Sequence, residues 1–251
     1  MNYKRAIVRR PGRNFSGGIT TSSLGKPDWR KACDQHEAYC EALVNCGVEL
    51  TVLEADERYP DGCFVEDTAI VTPGLAVITR PGAVTRRGEE EEIASVLSQY
   101  RPLERITSPG TIEGGDVLRK DEHFYVGISA RTNREGAGQL ASMLAKHGYT
   151  TSEVVVDEGL HLKSDIAYLG SGIFICTPGK AAMAGQGGRI IPDATEYYAA
   201  NCLAVNGKLL IARGFPKTAR TVAEMGYSII ELDMSEFRKM DGGLTCLSLL
   251  F

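Results

Sequence analysis

An apolar strand, a tight turn and a second apolar strand recur along this 251-residue chain. A repeated unit of that kind narrows the available folds more than any single motif does. Residues 64–79 (FVEDTAIVTPGLAVIT) read as strand, Pro-Gly turn and strand, and the Glu-rich run 88–100 then has helical spacing. Residues 113–147 repeat the unit: EGGDVLRKDEHFYVGIS supplies paired strands, and a helix follows that Asn133 can cap and Gly148 can end. Residues 161–177 give a third pair. Residues 198–213 give a fourth, with an Asn-Gly hairpin turn, and a helix over 216–226 follows. Asp67, Asp116 and Asp165 lie 49 residues apart twice (116 − 67 and 165 − 116), each opening an apolar strand. A strand at 5–9, a helix at 28–46, a strand at 48–53 and a C-terminal strand at 245–250 complete a fifth module by joining the chain ends, within one domain over 1–251. The expected class is α/β, a pseudo-symmetric ring of five modules. Such a ring needs no free sheet edges, and it turns the polar residues at the inner strand starts toward one axis.

Four Gly-punctuated segments hold those polar residues: PDGCFVED (60–67), GTIEGGD (110–116), GLHLKSD (159–165) and DGGLTCLSLLF (241–251). Cys246 follows Gly242 and Gly243, where backbone freedom lets a small ligand approach closely. A cysteine in a C-terminal strand is nonetheless more often core than nucleophile, and His161, flanked by leucines, more often a hydrogen-bonded structural residue. Glu113, between Ile112 and a Gly pair, is harder to dismiss, because a buried carboxylate needs a partner. Asp61, Glu66 and Asp67 form either an exposed acidic turn or a cation pocket.

These segments, together with SGGITTSSLGKPD, ITRPGAVTRRGE, HFYVGISARTN, LHLKSD, AANC and the closing SEFRKMDGGLTCLSLLF, closely resemble the dimethylarginine dimethylaminohydrolase family, in the same order from residue 15 to the last. The resemblance implies a five-bladed α/β propeller of ββαβ-type modules, in agreement with the repeat. It implies Cys246 as nucleophile, His161 as general acid and base, and Glu113 as the carboxylate that orients His161. By the same likeness Asp61, Glu66 and Asp67 line a guanidinium pocket, Arg86 and Arg131 hold a substrate carboxylate, and Leu24 belongs to a loop that closes over the amino-acid end.

Those residue types suit that chemistry. A guanidinium is planar and cationic, so its pocket needs carboxylates that match its N–H directions. A pair of charges at about 4 Å is worth roughly 4 kcal/mol at an effective dielectric near 20. Two arginines for one carboxylate at the far end measure length and select an amino acid over a bare amine. The implied reaction is hydrolysis of Nω-methylated arginine to citrulline and a methylamine through a covalent cysteine intermediate, without metal or organic cofactor. One rival is a deiminase or dihydrolase of arginine itself, which would release ammonia; another is a silent propeller that only binds guanidino ligands.

A net charge of −4 supplies no basic field for nucleic acid or an anionic membrane surface. No stretch is long and apolar enough for a span, so the expected compartment is the cytoplasm; a homodimer is compatible with the sequence but not readable from it. Seven cysteines at irregular spacing, without a CxxC pair, suggest neither a disulfide framework nor zinc. His36 reads as a surface or helix contact, and His123 and His147 as solvated. Cys33 and Cys40 read as packing on one helix face, Glu89 to Glu92 as a solvated helix start, and GQGGR (185–189) as a flexible excursion.

Overall fold

The computed structural model describes residues 2–157, 159–185 and 187–251. The first segment gives strand β1 (Arg5–Arg9), helix α1 (Trp29–Asn45) and strand β2 (Glu49–Leu53). Asp28 starts α1 by accepting the Arg30 and Lys31 backbone N–H groups, and the helix turns Ala32, Tyr39 and Leu43 into the core. Then come β3 (Ala69–Val71), β4 (Ala76–Ile78), α2 (Glu90–Leu97) and β5 (Leu103–Arg105), followed by β6 (Val117–Lys120), β7 (His123–Ile128), α3 (Arg134–Ala145) and β8 (Thr150–Val155). Asn133 caps α3 through Gly136 N–H, and Gly148 beyond its end takes φ +82°. Leu140 and Leu144 of α3 are fully buried against Phe124 and Val126, each worth about 2 kcal/mol of apolar burial. A Leu140→Ala change would cost about 2–5 kcal/mol there.

The fourth module has β9 (Ile166–Gly170), β10 (Ile173–Cys176) and β11 (Gly188–Ile190). The fifth has β12 (Leu203–Val205), β13 (Lys208–Ala212), α4 (Pro216–Glu224) and β14 (Ser228–Leu232), and a short helix α5 (Ser235–Arg238) leads to β15 (Leu249–Leu250). Asn206 and Gly207, at φ 47° and 83°, form the two-residue turn that suits the twist of a hairpin.

These strands form five three-stranded sheets, ordered β15-β1-β2, β3-β4-β5, β6-β7-β8, β9-β10-β11 and β12-β13-β14. In each, an inner strand pairs antiparallel with a middle strand, which pairs parallel with an outer one. The two ends of the chain meet in one sheet, where Ala6 pairs with Leu250 and Ile7 with Leu249. The fold is therefore a five-bladed α/β propeller, with inner strands of neighbouring modules in contact around the axis.

Four expectations need correction. The ring closes by side-chain packing between separate sheets and not by a continuous ladder, so the outer strands keep free edges. The segments 64–68 and 245–248, expected as strand, are largely 3-10 turns, Val65–Thr68 and Thr245–Leu247. The reason is geometric: a strand sends neighbouring side chains to opposite faces, whereas the turn buries both Glu66 and Asp67 at the axis. Within GQGGR (185–189), read as a flexible excursion, Gly188 and Arg189 belong to strand β11, and Gln186 lies outside the described residues. Glu89 and Glu90 are buried, leaving only Glu91 and Glu92 of that helix start exposed. Glu89 tolerates burial because Arg86 sits on its carboxylate at 2.7 Å.

The minor readings divide. His36 is a buried helix contact, 3.6 Å from the Cys40 sulfur, and burial holds its pKa down to about 4. His147 is exposed, while His123 is hydrogen-bonded to Thr150 and Ser152. All seven cysteines are unpaired. Cys40 packs on the core, and Cys33, seven residues earlier on the helix, is half-buried.

Candidate active site

A 3-10 turn precedes each inner strand: Val65–Thr68, Gly114–Asp116, Leu162–Ser164, Ala194–Ala200 and Thr245–Leu247. These turns or their flanking residues carry Glu66 and Asp67, Glu113, His161, Asn201 and Cys246 respectively. Residues of these turns up to 180 positions apart (246 − 66) thereby line one cleft of about 460 Å³ of empty space, part of it continuous with solvent. Asp61, Glu66, Asp67, Arg86, Arg131, His161 and Cys246 all line it.

Glu113 is fully buried just behind that lining. Its carboxylate lies 2.8 Å from His161 Nε2, accepts the Ala83 N–H at 3.1 Å, and is reached by Arg131 Nη1 at 3.3 Å. Burial favours the neutral acid, but the hydrogen bond from His161 and the field of Arg86 hold Glu113 below its ordinary pKa. For His161, burial disfavours the charged ring, yet Asp67 at 3.9 Å, Glu113 and Asp116 outweigh it and raise the pKa from 6.5 to about 9. The imidazole is therefore protonated at neutral pH.

The double glycine of GTIEGGD makes this packing possible. A Cβ on Gly115 would stand 2.5 Å from His161 Nδ1 and 3.0 Å from Asp67 Oδ1, while the Gly115 N–H itself donates to Asp67 at 2.8 Å. Only a residue without a side chain fits between ring and carboxylate.

The three acidic residues of the pocket are not equivalent. Lys163 Nζ lies 2.6 Å from Glu66, and Arg86 Nη1 lies 2.6 Å from Asp67. Among the described residues no cation pairs with Asp61, which accepts the Ile19 N–H at 3.1 Å and whose pKa burial raises. The two arginines differ as well. Arg86 is buried and donates to Asp67, to Glu89 and to the Phe64 carbonyl. Among the described residues the Arg131 side chain makes only the long contacts to Glu113, and it remains partly exposed at the cleft.

Cys246 borders the cleft, and its sulfur accepts the Gly243 N–H at 3.4 Å. Burial, then the carboxylates of Glu66 and Asp67, raise its pKa far above the usual thiol range, so the empty pocket holds a neutral thiol. Leu24 does not border the cleft; it is 52 % exposed. Ile19 lines the cleft instead, because Asp61 anchors its N–H and Asp241 holds the adjoining Thr21 N–H at 2.6 Å. Lys163, Asn201, Asp241 and Thr245 also line the cleft, although the sequence motifs assign them no role. The lysine two residues after His161, within LHLKSD, was the one legible signal for an ion pair with a buried acid.

Asp67, Glu113 and His161 bring ligand-type atoms within 4.8 Å of one another. Guanidinium groups already lie on both carboxylates, so the set is organised around an imidazole and not around an added cation.

A family model described as "N,N dimethylarginine dimethylhydrolase, eukaryotic" matches residues 26–184. The chain is 46 % identical to N(G),N(G)-dimethylarginine dimethylaminohydrolase of Pseudomonas aeruginosa, over 99 % of this chain and 100 % of the relative. It is 35 % identical to the enzyme of the same name from Streptomyces coelicolor, over 99 % and 97 %. A solved structure of the Pseudomonas aeruginosa protein, a cysteine-to-serine mutant complexed with citrulline, superposes with a TM-score of 0.98 at 44 % identity, covering 100 % of both chains. The N-terminal domain of a cyanobacterial arginine dihydrolase superposes with a TM-score of 0.88 at 17 % identity, a likeness of fold alone, over 100 % and 97 %. By sequence over almost all of its length, and by fold, the chain belongs to the dimethylarginine dimethylaminohydrolase family.

Proposed function

We propose that this chain hydrolyses Nω-methylated L-arginine, asymmetric dimethylarginine and monomethylarginine, to L-citrulline and a methylamine. The observation that carries the reading is one cleft bordered by the Cys246 sulfur, a His161 ring held by Glu113, and the carboxylate of Asp61, which lacks a cationic partner among the described residues. The substrate guanidinium lies against Asp61, with Glu66 and Asp67 completing the acidic lining. Arg131, with donors to spare, holds the α-carboxylate; Arg86, engaged by Asp67 and Glu89, contributes positive field from behind.

Because His161 stays protonated up to about pH 9, it enters the reaction as an acid and cannot first act as base toward the thiol. The cationic substrate itself therefore stabilises the Cys246 thiolate, which forms as the guanidinium binds and the thiol proton is released to solvent. The thiolate adds to the guanidinium carbon, and His161 gives its proton to the departing dimethylamine nitrogen as the C–N bond breaks. A cationic thiouronium remains on the sulfur. His161, now neutral, takes a proton from water as the water oxygen adds to the same carbon, and collapse of that adduct breaks the C–S bond and leaves the urea of citrulline, the remaining hydroxyl proton passing to the departing sulfur to restore the thiol. The proton given to the amine and the proton taken from water both pass through one imidazole, whose orientation Glu113 fixes.

Among the described residues no helix is long and apolar enough to cross a membrane. Together with seven unpaired cysteines this supports a cytoplasmic place of work. The test is direct: purified protein incubated with asymmetric dimethylarginine is expected to form citrulline and dimethylamine in equal amounts. Release of ammonia from arginine at a higher kcat/KM would assign the chain to the dihydrolases instead. Iodoacetamide alkylation of Cys246 against pH, with and without a cationic amidine, tests the thiolate step; an unchanged midpoint would overturn it.

A further inference from the structure

Four of the five inner turns deliver a residue already given a part in the chemistry, and the turn Ala194–Ala200 delivers none. It ends at Asn201, which is 5 % exposed and belongs to the AANC segment. The Asn201 side chain donates from Nδ2 to the Lys163 carbonyl at 2.9 Å and to Thr245 Oγ1 at 3.1 Å, and accepts the Thr245 N–H at 3.2 Å. The opposite amide orientation would set N–H against N–H and oxygen against carbonyl, so the partners fix which atom is which. Thr245 in turn donates its hydroxyl to Glu66 Oε2 at 2.9 Å, and Glu66 pairs with Lys163 Nζ at 2.6 Å.

The result is a closed circuit of Lys163, Asn201, Thr245 and Glu66, with one member from each of four modules. Its placement relative to the reacting groups is specific. Lys163 lies two residues after His161, and Thr245 immediately precedes Cys246. A Cβ on Gly243 would stand 2.4 Å from Asn201 Oδ1, so the amide packs against the residue whose N–H points at the Cys246 sulfur. Resting on the hydrolase reading above, we infer that Asn201 is a positioning residue for the reaction: its single amide ties the nucleophile turn to the acid/base turn and sets the approach of Cys246 to the carbon that His161 serves. It contacts no reacting atom itself. Its effect falls on the alignment of the two groups, and so on kcat more than on KM.

Three readouts test this. Wild type is first assayed for citrulline from asymmetric dimethylarginine; failure there defeats the hydrolase reading and leaves the alkylation arm, which needs no turnover, to decide on Asn201. Asn201→Ala is expected to lower kcat by about tenfold or more with KM within about threefold, and to slow alkylation of Cys246 at every pH. Thr245→Ser, which keeps the hydroxyl, is expected to stay close to wild type, and Thr245→Val to resemble Asn201→Ala. The double variant should lose no more than the worse single one, because both open the same circuit. An Asn201→Ala protein that melts near wild type with unchanged kcat and alkylation overturns the inference, and so do losses that multiply in the double variant. Should Asn201→Ala fail to fold, the isosteric Asn201→Asp takes its place, and failure of both to fold assigns Asn201 a purely structural part and likewise overturns it.

Discussion

Adding one methyl group at residue 115 separates geometry from composition at this site. Gly115 lies in a 3-10 turn and has no positive φ, so Gly115→Ala strains no backbone dihedral. The new Cβ would meet His161 Nδ1 at 2.5 Å where ordinary contact begins at 3.4 Å, so ring or turn must move by about 0.9 Å (3.4 − 2.5). The ring cannot retreat and keep its 2.8 Å bond to Glu113. A misplacement near 1 Å costs about 100-fold in rate, and overpacking of this size costs about 1–3 kcal/mol. For a chain of this length that is a fall of about 2–12 °C in melting temperature. With Glu113 lost, the His161 pKa should drop from about 9 toward 6.5, and the alkaline limb of kcat/KM should move down with it. Gly138→Ala is the control, since nothing lies within 4 Å of its Cβ in helix α3; it should be active and slightly more stable. The assay is citrulline formation against pH beside a thermal melt. A Gly115→Ala protein with kcat within threefold of wild type would refute the claim that this ring position governs catalysis.

Other outcomes follow from the same coordinates. His161 has a folded-state pKa above its unfolded value, so it adds stability below about pH 6.5 that is lost as pH rises through about 9. The melting temperature should fall across that window, and Glu113→Gln should flatten the slope. Cys246→Ser should abolish turnover while leaving the melt unchanged; retained turnover would point to a non-covalent route. Asp61→Asn removes the unpaired acid and should raise KM for dimethylarginine about tenfold or more, given roughly 4 kcal/mol of charge attraction at 4 Å, with little change in affinity for neutral citrulline. Arg86→Met strands Asp67 and Glu89 in the interior and should cost about 3–5 kcal/mol, read by urea denaturation.

Much of the architecture was legible because each module announces itself locally. The Asn-Gly turn at 206–207, the cap at Asn133 and the apolar strand pairs are short-range signals, and the 49-residue phase of Asp67, Asp116 and Asp165 marks where three of the five inner strands begin. What escaped the reading was set by contacts distant in sequence. That Glu66 and Asp67 sit in a turn follows from their partners Lys163 and Arg86, and nothing near residue 66 encodes a lysine 97 positions on (163 − 66). The burial of Glu89 differs, since its partner Arg86 lies only three residues before it; what the run does not encode is that both face the interior. The resemblance places Leu24 in the loop over the amino-acid end, while the position of Ile19 at the cleft is set by its anchoring to Asp61, 42 residues on (61 − 19). The third strand of the fourth module is three residues long and glycine-led, too weak a pattern to separate from a loop.

Drawing the active centre from turns that share no local sequence has a kinetic cost. The hydroxyl of Thr245 reaches Glu66 across 179 residues, and strand β1 pairs with β15 across more than 240. Such distant contacts come late, since loop-closure entropy is spent before they return any energy, and a high contact order slows folding. Cleft chemistry should thus be among the last properties regained on dilution from denaturant, well after far-ultraviolet ellipticity, making recovered turnover a gauge of a finished fold.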